Sequence, residues 1–127
     1  MNYEQERTAE DIHKTMMALE KQISNDKKLI YENNTDEQAM LSFSDHTFTL
    51  LIKRIKHGFY TRGEYKKGDK LEELVNLNRE AINHTISANA IKVMMNINLY
   101  NINLDDTFME SLKEYSEYLK PILQAVI

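Results

Sequence analysis

Cysteine and tryptophan are absent from this chain of 127 residues, proline occurs once and glycine three times. Without cysteine there is no disulfide, no thiolate ligand for zinc and no thiol nucleophile, which fits a reducing compartment. So little proline and glycine leaves few tight reversals and argues against a sandwich or barrel. No apolar run approaches the length of a membrane span, and the opening MNYEQERTAED carries no apolar signal core. A cytoplasmic protein with no membrane contact is expected. Also missing are a glycine-rich phosphate loop, a nucleophile elbow and a zincin motif, so neither an enzyme class nor a cofactor is implied. The net charge of −4 is too modest to call for a polyanionic partner by itself.

What is present reads as a single all-α domain spanning 1–127. Hydrophobic content of 42% and charged content of 28% are ordinary for a globular chain of one-domain length. The usage of Asn, Ile, Lys and Tyr fits AT-rich coding. From Ala9 the apolar positions step through Ile12, Met16, Leu19, Ile23 and Ile30, with Asp26 on the same line. Steps of three and four make a heptad seam, predicting a long first helix over 4–31. Asp26 on that seam is either a register device or the point where the helix leaves its partner. Asn33-Asn34 favours a turn, and Thr35 with Gln38 has the form of a capping box. A second helix is predicted over 36–57. Its apolar residues surround most of the circumference, which marks a central helix.

A third helix is predicted over 70–99, opened by a capping box at Asp69 and Glu72. Asn89 lies in line with Ile82, Ile86 and Val93, and a buried asparagine must find hydrogen-bond partners. The alternating NINLYNINL of 96–104 reads as helix end and connector. Thr107 with Glu110 caps a fourth helix over 108–125, in which Phe108, Leu112, Tyr115, Leu119, Ile122 and Val126 repeat the heptad steps. Pro121 should kink or end it near Glu117–Lys120. The expected architecture is a four-helix bundle, with a glycine-bearing basic loop between helices 2 and 3.

Residues 53–70, KRIKHGFYTRGEYKKGDK, stand apart chemically. All three glycines and seven of the sixteen basic residues fall here, against Glu64 and Asp69. The rest of the chain holds nine basic and eighteen acidic residues, so this stretch is the one basic face on an acidic body. An ordered loop is expected, with a short hairpin around Arg62-Gly63 as the alternative. Lys53, Arg54, Lys56, Phe59, Tyr60, Arg62, Tyr65, Lys66 and Lys67 are the candidate partner-binding residues. Cations interleaved with aromatic rings can meet phosphates and stack on bases, or meet an acidic protein.

Other constellations carry less. Glu10 and His13 have an E-x-x-H spacing, but a di-iron bundle needs two such pairs plus further glutamates, so no metal site is assigned. Glu80 and His84 share a helical face as an ordinary i, i+4 pair. Asp45 and His46 are neighbours on a helix and point about 100° apart, so they cannot orient one another for catalysis. Seven methionines, among them Met16-Met17 and Met94-Met95, supply pliable apolar surface. With two seams, that surface favours a homodimer. The expected function is a small non-enzymatic protein-binding regulator or inhibitor that occupies a partner, of a size and acidity that suit a phage or other mobile element. A nucleic-acid-binding regulator using residues 53–70 is the alternative.

Overall fold

In the computed structural model, residues 7–100 and 104–126 are described, with side chains for all of these except 96–100 and 104–112, and every regular element among them is a helix. The helices are α1 Ala9–Glu32, α2 Glu37–Thr61, α3 Tyr65–Leu77, α4 Arg79–Tyr100 and α5 Leu104–Val126. The all-α expectation holds, but the described residues form five helices where four were expected. Among the described residues α2 packs against each of the other four helices, as its apolar circumference requires.

Thr8 caps α1, its hydroxyl oxygen accepting from Asp11 N at 3.1 Å. Helix α1 buries Ile12, Thr15, Leu19, Ile23, Asp26 and Ile30, and packs on α2 of the same chain. The first apolar stripe is thus covered internally. At its end Asn33 Oδ1 accepts from both the Thr35 N–H and the Thr35 hydroxyl, closing the turn. The cap of α2 is therefore Asp36, whose Oδ1 accepts from Ala39 N at 3.0 Å, one residue beyond the predicted capping box.

Two cores flank α2. One gathers Leu19, Ile23, Ile30, Met40, Phe43 and Val93 from α1, α2 and α4. The other joins Phe48, Leu71, Val75, Ile82, Tyr115 and Leu119 from α2 to α5. Each such side chain contributes about 1.5–3 kcal/mol when fully buried. Tyr115 packs its ring edge-on to Phe48 at 5.1 Å and donates its hydroxyl to the Ser44 carbonyl at 3.2 Å. Burial pushes its phenol up to about 12.

The glycine segment is not a loop. Helix α2 runs through Gly58 to Thr61, α3 begins at Tyr65, and only Gly63 turns the chain, with φ of +77°. Gly68 lies inside α3 because a methyl group there would meet the Tyr60 ring at 2.7 Å. Close approach of α3 to α2 outweighs the helical cost of glycine. Asp69 and Glu72, read as a cap, sit within α3 and face α2 instead. Tyr60 donates its hydroxyl to Asp69.

The predicted third helix is broken at Asn78. Its side-chain Nδ2 donates to the Leu74 carbonyl at 2.8 Å, competing for the acceptor that the backbone would use, and φ falls to −106°. Helix α4 restarts at once, with Ile82 N donating to the Asn78 carbonyl at 3.0 Å. Buried Asn89 finds its partner locally, donating to the Thr85 carbonyl at 2.9 Å. Helix α4 continues to Tyr100, and α5 passes through Pro121 to Val126 without ending early. Helix α5 begins at Leu104, so Thr107 and Glu110, read as its cap, sit inside the helix and the predicted start at 108 is corrected to four residues earlier. The side chains of 96–112 lie outside the described residues.

Candidate functional site

The nine residues of the basic segment divide by helical face. Lys53 and Lys56 lie on the buried face of α2, only 1% and 3% exposed. Lys53 Nζ is 2.6 Å and Lys56 Nζ 3.7 Å from Glu72 Oε1 of α3. Lys56 also stands 5.4 Å over the Tyr60 ring, and Phe59 and Tyr60 are themselves buried. The expectation that Lys53 and Lys56 belong to an accessible basic, partner-binding face is corrected: α3 folds back over them. Arg54 points elsewhere, 3.6 Å from Glu20 of α1.

Only Arg62, Tyr65, Lys66 and Lys67 share the exposed corner between α2 and α3. Glu64 holds two of them, accepting from Arg62 Nε at 2.8 Å and from Lys67 Nζ at 3.0 Å. Those cations, Arg62 first, keep the Glu64 carboxyl below its usual range. Tyr65 leans edge-on against Tyr60 at 5.0 Å. The segment is therefore half structural clamp and half surface. As a phosphate-binding face it has lost Lys53 and Lys56.

A second surface was not foreseen. Along the crease between α2 and α4, Leu41 is 37% and Ile91 56% exposed. At one end Met40, Leu41, Ala90, Ile91 and Met94 enclose a cavity of about 290 Å3. It runs on, through the shared Leu41 and Ser87, into a second cavity of about 270 Å3 lined by Ser42, Asp45, Asn83 and Ile86. Asp45 in turn borders a third, of about 150 Å3, that ends at Lys53, Glu72 and Arg79. The α2 lip from Glu37 to Thr49 covers twelve residue steps, about 18 Å at the helical rise. The signal in the sequence was apolar side chains at Leu41 and Ile91 beyond the number one buried stripe requires.

The histidines have ordinary neighbours. His46 Nδ1 lies 2.6 Å from Asp26 Oδ2, so the aspartate on the α1 seam pairs α1 with α2 rather than marking where α1 leaves its partner. Burial raises the Asp26 carboxyl above its usual range against the pull of His46. His46 is not oriented by its neighbour Asp45. The His13 and His57 rings are 6.0 Å apart, and Glu10 pairs with Lys14 at 3.8 Å. Among the described residues no three His, Asp or Glu side chains converge as metal ligands, and no helix is long and apolar enough to cross a membrane. No protein-family model, curated protein or solved structure matches the chain.

Proposed function

We propose that this chain is a small non-enzymatic protein-binding regulator or inhibitor that captures a helical segment of its partner in the α2–α4 crease. The observation that carries this reading is the exposure of Leu41 and Ile91 on two adjoining cavities between α2 and α4. Apolar side chains gathered on a rimmed groove suit the apolar face of a docking helix. Methionines at the groove's deep end adapt their shape to the occupant.

Selection of displayed peptides against the folded protein tests the proposal. Recovered peptides should share apolar residues at i, i+3 or i+4, and i+7. They should fail to bind a Leu41→Glu/Ile91→Glu variant whose circular dichroism is unchanged. If they bind that variant normally but lose a variant with Arg62, Lys66 and Lys67 reversed to glutamate, the contact lies at the basic corner and the crease is excluded. That second outcome would return the site to the stretch that the sequence first marked.

A further inference from the structure

The geometry points to a basic amphipathic helix as the occupant of the crease, an inference that rests on the groove reading above and names its partner's chemistry. Over the two cavities that Leu41 and Ser87 join, the ionisable lining residues are Glu37 and Asp45, and both are acids. Both are exposed and lie eight positions apart on α2, two turns along the same lip, with Leu41 midway. Neither has an ion-pair partner among the described residues. The facing lip of α4 offers Asn83, Ser87 and Ile91, all uncharged. Arg79 and the Lys53–Glu72 pair enter only beyond Asp45.

The floor is apolar where the acids stand, formed by Met40, Ile86, Ala90 and Met94. A docked helix would lay its apolar stripe on that floor and bring side chains on its flank over the α2 lip. Lysine or arginine there meets two carboxylates, whereas glutamate or aspartate meets repulsion in a partly desolvated groove. The acidic body outside residues 53–70 adds a long-range field of the same sign. An acidic partner helix is disfavoured on both counts, and so is a nucleic acid at this face.

Fluorescence anisotropy with three labelled peptides of about 14 residues decides the matter. One places leucine on a helical stripe with lysine elsewhere. The second replaces lysine by glutamate, and the third scrambles the leucine–lysine sequence. At about 50 mM salt the first should bind at least about tenfold tighter than either of the others, and its lead over the glutamate peptide should shrink at about 300 mM. Asp45→Asn and Glu37→Gln should each weaken the lysine peptide on the order of threefold, while Glu10→Gln, at the start of α1, leaves it unchanged. Equal binding of the lysine and glutamate peptides, both abolished by Leu41→Glu/Ile91→Glu, would overturn the charge inference and leave the groove standing. Equal binding of the scrambled peptide, or no binding of any peptide at about 1 mM, would overturn the charge inference and the groove together.

Discussion

Replacing Glu72 with glutamine removes a carboxylate that lies 2.6 Å from Lys53 Nζ and 3.7 Å from Lys56 Nζ, while leaving the shape of the α2–α3 contact almost unchanged. Both ammonium groups stay on the buried face of α2, with side chains 2% and 4% exposed. Removing one partner of a buried pair costs about 3–5 kcal/mol because the remaining charge has no solvent to turn to. Glu72 is itself 20% exposed, so some water already reaches the cluster, and about 3 kcal/mol is the expected loss. Lys53→Met should behave differently. It keeps the apolar stem, removes one buried cation and leaves Glu72 beside Lys56, so a loss of about 1 kcal/mol is expected. Urea unfolding followed by circular dichroism measures both. With a slope of about 2 kcal/mol per molar, Glu72→Gln should lower the midpoint by about 1.5 M and Lys53→Met by about 0.5 M. If Lys53→Met costs as much as Glu72→Gln, the carboxylate is not the shared hub and the clamp has been misread.

Three further outcomes are expected. Gly68→Ala should destabilise by about 1–3 kcal/mol despite alanine's better helix propensity, since its methyl meets the Tyr60 ring at 2.7 Å. Gly58→Ala, where only the Arg62 guanidinium is near, should stabilise by about 0.5–1 kcal/mol, and thermal melts of the two variants should move in opposite directions. Tyr115 holds its proton more tightly folded than unfolded, so its contribution to stability is full below pH 10 and is lost as the pH rises through about 12. Tyr115→Phe should flatten the fall in unfolding free energy over that interval, and an equal slope in both proteins would contradict the assignment. Asp26 has the opposite bearing on neutral solutions. Burial raises its carboxyl above 3.8, so the folded state takes up the proton first and gains stability as the pH falls through that raised value. Relative to Asp26→Asn, the natural protein should gain stability as the pH falls from neutral through that raised value towards 3.8, and a relative loss in denaturation curves would refute it.

Helix content and the central place of α2 were legible in the sequence, because apolar residues around a whole circumference leave a helix nowhere to go but the interior. Asp26 was legible as an exception on the seam, either a register device or a point of departure, though its partner His46, twenty positions away, was not. The glycine segment misled for a physical reason. Glycine marks positive φ and close approach alike, and here one of three residues, Gly63, does the first while Gly68 does the second. Lys53 and Lys56 were read as solvated because a cation on a helix end usually is, yet Glu72 on the returning helix makes them interior. The break at Asn78 hid among six asparagines in the third predicted helix: its amide shares the Leu74 carbonyl with its own backbone N–H, and Asn89 makes the same kind of bond to Thr85 without ending α4. The crease escaped notice because it depends on which apolar side chains remain uncovered once α1 and α5 have docked. The homodimer drawn from two seams no longer has the α1 stripe to rest on, since α2 covers it, and static light scattering of the purified protein tests what remains.

The most direct measurement is methyl and amide NMR of the protein titrated with a peptide recovered by selection. Perturbed signals should cluster at Glu37, Leu41 and Asp45 of α2 and at Ser87, Ile91 and Met94 of α4, while Arg62, Lys66 and Lys67 stay still. Perturbations confined to those three basic residues and Tyr65, with the crease silent, would contradict the proposal that this groove is where the protein meets its partner.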